Sequence, residues 1–175
     1  MQVWRRLRGL GALYLQQSVC LLPDRPEVSK SVWRLAAKVR SEGGTARCLH
    51  LRMTDSAEQD GVVQQMQAAI NEEYAEVLER LPTFFAELEM ETARGRATFA
   101  EVEESEADLA RFEAWHAKIE KRDYFDADLG SQVRAELDRA RQALATFEAA
   151  ALAADTASAP AVTSSAPRPH ALPEA

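Results

Sequence analysis

The sequence predicts an α+β protein with a small front part and a long-helix bundle. Before Asp55, two stretches alternate apolar and polar residues, which is typical of strands with one buried face. After Asp55, apolar residues recur three and four positions apart, which indicates helices that pack through a seam. We therefore expect an α+β part over residues 1–55, a three-helix antiparallel bundle over 56–153 and a disordered tail over 154–175.

The amino-acid composition is that of an ordinary soluble domain. The chain has 46% apolar and 28% charged residues, as in ordinary soluble domains. No stretch is apolar enough to span a membrane, and Arg8 interrupts the only stretch that faintly resembles a signal peptide. Cys20 and Cys48 form no CxxC motif, which fits reduced thiols better than a disulfide framework. We expect a cytoplasmic protein without a membrane partner.

The first strand is predicted over residues 11–23. Its apolar face contains Leu13, Leu15, Val19 and Leu21. The same strand carries a polar cluster of poor strand formers, Gln16, Gln17 and Ser18. A buried, unpaired amide costs about 1–3 kcal/mol, so we interpret the segment as an edge strand with one wet face.

Helices flank this strand and carry a line of cations. Residues 1–10 are predicted to be the end of a helix, and a second helix is predicted from a cap at Asp24 to Gly43. An off-stripe aromatic, Trp33, is typical of interfaces. Five cations are candidates for nucleic-acid contact, with a solvated helix face as the alternative: Arg5, Arg8, Lys30, Arg34 and Lys38.

Formal charge is divided unevenly along the chain. Residues 1–52 hold ten Lys and Arg against three Asp and Glu, a net +7. Residues 53–175 hold eleven against twenty-five, a net −14. This division favours either contact with a polyanion at the front or electrostatic docking of the two halves.

A second strand is predicted over residues 46–53. Its apolar residues share one face: Leu49, Leu51 and Met53. Cys48 and His50 lie on the other face, where they and Cys20 could form an incomplete soft-metal site. Packing of two small cysteines is the alternative, and no cofactor or metal is predicted.

Three long helices are predicted after Asp55. The first carries the longest apolar seam, and Pro82 within it is expected to kink or split the helix. The second begins at a Thr98 cap, and the last runs from about Leu129 to about Ala153.

The turn before Thr98 contains two arginines, Arg94 and Arg96. Guanidinium groups beside a helix N-terminus can bind an oxyanion, because both supply N–H donors and positive charge. Arg94, Arg96 and Thr98 are therefore candidate anion-binding residues. Helix capping or ion pairs with neighbouring glutamates are the alternative. No catalytic or phosphate-binding motif is present, so we predict a protein without enzymatic activity.

Three blocks of the sequence resemble the N-terminal domain of the chromate resistance protein ChrB. They are LGALYLQQSVCLLP over residues 10–23, ETARGRATFAEVEE over 91–104, and RDYF within 119–125. The resemblance implies a chromate-responsive regulatory or accessory module, with the chromate oxyanion as effector and DNA as a candidate partner. The front part also resembles, more distantly, the ferredoxin-like domain of the phenylacetate repressor PaaX and of CRISPR adaptation nucleases, which implies a βαββαβ-type sheet in which the long strand is broken into two paired pieces.

Two departures from the family pattern shape the expectations. The family's opening strand is not seen, so we expect a truncated front part with an unpaired sheet edge that invites pairing with another chain, as in a homodimer. The family's C-terminal domain is likewise not seen.

Two alternative functions belong to other classes of protein. One is a thiol-dependent enzyme that reduces chromate with Cys20 and Cys48, and the other is a helical module that assembles through its seams.

Overall fold

The structure is a computed structural model that describes residues 2–95 and 98–158. It confirms the α+β class: a two-stranded antiparallel sheet precedes three long helices. The elements, in chain order, are α1 Gln2–Gly9, β1 Leu13–Gln16, β2 Val19–Leu21, α2 Pro26–Ser41, α3 Ser56–Ala93, α4 Phe99–Glu120 and α5 Leu129–Ser158.

The polar cluster of the predicted first strand lies at the tip of a hairpin. Gln16 ends β1, whereas Gln17 and Ser18 form the turn that returns the chain into β2. Leu13 pairs with Leu21, and Gln16 pairs with Val19 beyond a register shift. The prediction of one strand over residues 11–23 was wrong, because the three polar side chains reach water at a turn rather than along a strand face.

The prediction of a strand over residues 46–53 was also wrong. The segment has no regular secondary structure, and it joins neither β1 nor β2. Burial does not alternate along it, because Leu49, His50, Leu51 and Arg52 are all exposed. A period-two pattern describes a chain that can enter a sheet, but it does not supply the neighbouring strand.

Helix α2 packs through a narrow apolar face. Val28, Leu35 and Ala36 are its buried residues. Arg25, rather than Asp24, occupies the N-cap position, and its side chain makes no capping hydrogen bond. Asp24 instead accepts a hydrogen bond from the Ser29 hydroxyl over 2.9 Å.

The three long helices form the predicted antiparallel bundle. Phe84 of α3 contacts Phe112 of α4, and Tyr74 of α3 contacts His116 of α4, so the two helices run in opposite directions. All three helices contribute to one core, whose largest fully buried side chains are Tyr74, Val77, Leu81, Ile119, Val133 and Leu137. The predicted seams are therefore buried against one another within this chain.

One predicted helix end needs correction, and the helix break considered at Pro82 does not occur. Helix α3 runs through Pro82 as one element and is not split, and Pro82 lies exposed on its surface. Helix α5 continues to Ser158 rather than ending near Ala153. The predicted tail beyond Ser158 lies outside the described residues. None of the helices in the described ranges is long and apolar enough to cross a membrane.

Candidate functional site

The front part meets the bundle at the loop between α4 and α5. The Tyr124 hydroxyl donates a hydrogen bond to the Leu10 carbonyl oxygen over 3.0 Å. The Arg25 guanidinium donates to the Tyr124 carbonyl and lies 5.2 Å from the centroid of the Tyr124 ring. Burial raises the pKa of the Tyr124 hydroxyl, which keeps it a neutral donor. One tyrosine therefore fixes two separate segments of the front.

Gly11 allows the front to approach this loop closely. Its φ of 73° lies in the left-handed region that side chains other than glycine disfavour. A Cβ atom at Gly11 would lie 3.1 Å from the Arg122 Cβ and 3.2 Å from the Tyr124 Cε2. Both the backbone conformation and the available space therefore require glycine at the start of the hairpin.

The loop is in turn anchored to α3. Arg122 forms a partly buried ion pair with Glu73. The Gln67 side-chain amide donates to the Phe125 carbonyl oxygen over 2.7 Å. Because these contacts join positions far apart in sequence, they hold the loop against α3 while Tyr124 holds the front.

Beneath the loop, Tyr74 is fully buried in the bundle core. Its hydroxyl donates to Asp123 Oδ2 over 3.2 Å, and its ring lies 5.9 Å from the His116 ring. Burial, followed by the negative charge of Asp123, raises the pKa of Tyr74 well above its ordinary value. The Tyr74 hydroxyl is therefore a structural donor rather than an acid.

A cleft of about 500 Å³ opens between the hairpin, α3 and this loop. Its apolar lining residues include Leu13, Met66 and Ile70. Carboxylates outnumber guanidinium groups among its charged lining residues, which are Arg8, Arg122, Glu72, Glu73, Glu76 and Asp123. This excess of carboxylates disfavours the binding of a dianion such as chromate in the cleft.

The predicted anion-binding turn lies at the opposite end of α4. Arg94 Nη1 is 3.0 Å from Glu91 Oε1, as the glutamate-pairing alternative for this arginine expects. The Thr98 hydroxyl accepts from the Glu101 backbone N–H over 3.4 Å, and Arg96 lies outside the described residues. Helix α4 has 22 residues, and at about 1.5 Å per residue the turn lies roughly 33 Å from Lys121.

The two cysteines lie in the front part as free, half-buried thiols. Burial raises the pKa of Cys20, and the nearby Cys48 raises it further. The thiolate form of Cys20 is therefore disfavoured. No group of three or more His, Cys, Asp or Glu within residues 2–95 and 98–158 is arranged to hold a metal ion, so Cys20, Cys48 and His50 do not form the soft-metal site considered from the sequence.

The predicted cationic residues are exposed on α1 and α2. The Arg8 guanidinium lies 4.2 Å from the centroid of the Trp4 ring, and Lys38 lies 3.7 Å from Glu42. The other three, Arg5, Lys30 and Arg34, form no ion pair within the part of the chain that the structure describes. Lys30 and Arg34 lie one turn apart and leave two positive charges on one face of α2.

Comparison with protein families identifies a family that matches most of the chain. The family described as "Protein ChrB, N-terminal" matches residues 1–158 of the 175 in the chain. The chain belongs to this ChrB family. The match places it among chromate resistance proteins and confirms the resemblance carried by the three sequence blocks. No curated protein and no solved structure matches the chain.

Two of the three ChrB-like blocks meet in space. The first supplies Leu10 and Gly11, and the third supplies Arg122 and Tyr124, which together form the contact between front and bundle. The second block begins at Glu91 and lies at the far end of α4. The first and third blocks were identified in the sequence by their resemblance to the family. Residue spacing alone did not reveal that Tyr124 of the third block contacts Leu10 of the first.

Proposed function

We propose that this chain is a chromate-linked regulatory module of the cytoplasm, without catalytic activity, that binds DNA through the cations of its front part. One observation in particular supports the proposed contact with DNA. Among residues 2–95 and 98–158, no ion pair joins the basic front, residues 1–52, to the acidic rear. The cations of the front are therefore not neutralised by carboxylates of the rear. This favours contact between the front and a polyanion.

The cations are arranged to reach phosphate groups. Lys30 and Arg34 project from the face of α2 opposite its buried residues, and Lys38 continues the line one turn further. Lys38 pairs with Glu42 only at the surface, where an ion pair contributes little and yields readily to a stronger anion. Trp33, 45% exposed on the same helix, adds an aromatic surface.

The chromate effector is supported by the family and by the arginine turn. Arg94 is exposed, and α4 begins at Phe99, five positions further along the chain, where the first N–H groups of a helix can donate to an anion. Chromate would compete with Glu91 for the Arg94 guanidinium. Because the arginine turn and the front lie at opposite ends of the bundle, a signal would pass along α3 and α4 to the Tyr124 contact.

The two alternatives have less support. A thiol-dependent chromate reductase needs a reactive thiolate, whereas burial raises the pKa of Cys20. A helical module that assembles through its seams needs exposed seams, whereas Val77, Leu81 and Leu137 are buried inside the bundle.

A mobility-shift titration across a range of salt concentrations tests the DNA contact. The double variant Lys30→Gln/Arg34→Gln is compared with Lys118→Gln/Lys121→Gln, which removes two exposed lysines from the bundle. Each phosphate contact contributes about 0.9 to the slope of log affinity against log salt, so we expect the α2 variant to lower that slope by about 2 and the control to leave it unchanged. Salt-independent binding, or no binding at low salt, would contradict the proposal.

A further inference from the structure

An exposed tryptophan lies in the middle of the cationic face of α2. Five exposed residues, spaced three or four positions apart, share this outward face: Lys30, Trp33, Arg34, Ala37 and Lys38. At about 1.5 Å per residue, the face extends about 12 Å from Lys30 to Lys38. Trp33 therefore presents an aromatic ring within a row of three positive charges.

The ring of Trp33 is supported by a neighbour but is not covered by a cation. Its side chain is 45% exposed, and no guanidinium or ammonium group lies over the ring within residues 2–95 and 98–158. The His50 ring lies 6.4 Å from the Trp33 ring and is tilted by 31°. His50 is itself held in place, because its Nδ1 atom lies 3.1 Å from Asp24 Oδ2. Trp33 is therefore positioned by the fold while much of its surface is open to a partner.

Trp4 is equally exposed but already has partners within the chain. The Arg8 guanidinium lies 4.2 Å from the centroid of the Trp4 ring, and the Tyr14 ring lies 6.2 Å from it. A guanidinium at this distance occupies one face of the indole. Of these two tryptophans, Trp33 is therefore the one whose ring is available for stacking.

An open aromatic ring among cations fits a nucleic-acid strand with unpaired bases. The cations contact phosphate groups, and the ring stacks on a base, which requires a base whose face is not already covered by its neighbours. Inside a duplex the base faces are stacked on one another, so a ring on a helix surface does not reach them. At about 3.4 Å per nucleotide of a stacked strand, the 12 Å face of α2 spans about four nucleotides.

We propose that α2 binds a single strand of DNA, with a base stacked on Trp33 and phosphate groups in contact with the three cations of this face. The net charge of +7 over residues 1–52 complements the negative charge of the strand. This inference rests on the proposed contact with DNA and specifies which form of DNA is preferred. Because phosphate contacts occur in both forms, Trp33 is the residue that distinguishes a single strand from a duplex.

Fluorescence anisotropy of a labelled thymidine oligonucleotide, alone and annealed to its complement, tests the inference with the full chain. Trp33→Ala should weaken binding to the single strand by about five- to a hundredfold and leave the affinity for the duplex unchanged, because only an unpaired base stacks on the ring. Trp4→Ala is the matched control, since it removes an equally exposed indole from the same front part. It should leave both affinities unchanged.

The variant Lys30→Gln/Arg34→Gln separates failure of this inference from failure of the proposed function. It should weaken binding to the single strand and to the duplex, because both present phosphate groups. If it does so while Trp33→Ala leaves single-strand binding unchanged, or weakens duplex binding equally, the inference is overturned and the proposed contact with DNA stands. If the double variant binds both ligands as tightly as the wild type, or the wild type binds neither, the proposed function fails and the inference fails with it.

Tryptophan emission and two further variants test the stacking itself. A base stacked on an indole quenches its emission, so the wild type should lose emission when the single strand is added but not when the duplex is added. Trp33→Phe keeps a ring and should retain most of the affinity without this quenching, whereas Trp33→Leu keeps only an apolar side chain and should bind as weakly as Trp33→Ala. Equal quenching in the wild type and Trp33→Phe, or equal affinities of Trp33→Phe and Trp33→Leu, would overturn the proposal.

Discussion

Tyr124 and Leu10 are separated by more than one hundred positions in the sequence, yet a hydrogen bond of 3.0 Å joins the Tyr124 hydroxyl to the Leu10 carbonyl oxygen. Leu10 lies between α1 and the hairpin, and Tyr124 lies in the loop that leads to α5. This contact fixes where the basic front sits on the acidic bundle. The first predictions concern this contact and the glycine beside it.

Removing the Tyr124 hydroxyl should destabilise the protein. Tyr124→Phe leaves the Leu10 carbonyl without its donor in a partly buried site, so we expect the free energy of unfolding to fall by about 1 kcal/mol. Tyr14→Phe is the control, because the Tyr14 hydroxyl makes a longer, exposed hydrogen bond of 3.3 Å to the Trp4 carbonyl. Urea unfolding measures both variants. An equal loss of unfolding free energy in the two variants would show that the Tyr124 hydrogen bond stabilises the protein no more than the exposed Tyr14 hydrogen bond does.

Substitution of Gly11 should cost more than backbone strain alone. Gly11→Ala combines a left-handed φ with a Cβ only 3.1 Å from the Arg122 Cβ. Gly43 has a similar φ of 83° but nothing within 4 Å of an added Cβ, so Gly43→Ala reports the strain alone, about 1–2 kcal/mol. We expect Gly11→Ala to exceed Gly43→Ala in urea unfolding. If the two losses are equal, the front does not press against the loop.

The sequence predicts the bundle better than it predicts the hairpin. The seam of α3 predicted the bundle because residues such as Val77 and Leu81 recur on one helix face, and that pattern depends only on local geometry. The hairpin turn at Gln17 and Ser18 lacks the Asn-Gly or Asp-Gly signal that marks two-residue turns, so the residue pattern indicated one strand, and only the distant resemblance implied two paired pieces.

Contacts between segments that are far apart in the chain cannot be predicted from local sequence patterns. Arg122 pairs with Glu73, and Tyr124 reaches Leu10, but spacing within the sequence does not indicate either partner. Only the resemblance to a family marked the blocks that contain Leu10 and Tyr124. For Arg94, pairing with a neighbouring glutamate was one of the predicted alternatives, and Glu91, one helical turn away, is the glutamate that the structure shows in this role.

Cys20 should react slowly with alkylating reagents. Burial, and then Cys48, raise its pKa, which lowers the thiolate fraction at neutral pH. We expect iodoacetamide to modify Cys20 in the Cys48→Ser variant more slowly than the same chain unfolded in urea. Fast alkylation at the unfolded rate would contradict the raised pKa and would favour the thiol-enzyme alternative.

The same shift predicts a loss of stability at alkaline pH. Because the folded-state pKa of Cys20 is raised, the unfolded chain releases the thiol proton first, and stability falls as pH rises above the unfolded value of about 8.5. The difference in unfolding free energy between pH 7 and pH 10 should therefore be smaller in Cys20→Ser than in the wild type. Tyr74 titrates in the same direction in both proteins and cancels in this comparison.

Loss of an arginine from the turn should weaken chromate binding. A charged hydrogen bond contributes about 1.5–3 kcal/mol, and 1.4 kcal/mol is tenfold in affinity, so Arg94→Ala or Arg96→Ala should weaken binding by about ten- to a hundredfold. Calorimetric titration measures chromate, with sulfate as the control anion. Equal heats of chromate binding in the wild type and both variants would show that the arginine turn does not bind chromate. Equal affinity for sulfate would make the turn a general oxyanion site.

Glu91 provides the complementary test, because it competes with the anion for Arg94. Glu91 Oε1 binds the guanidinium, while Glu91 Oε2 is buried and has no hydrogen-bond partner among the described residues. Glu91→Gln keeps the shape of the side chain but removes its charge, which frees Arg94 and lowers the local negative potential. Chromate should therefore bind more tightly to Glu91→Gln than to the wild type, and the gain should disappear when Arg94→Ala is added. Weaker binding by Glu91→Gln would mean that the glutamate positions Arg94 for the anion rather than competing with it.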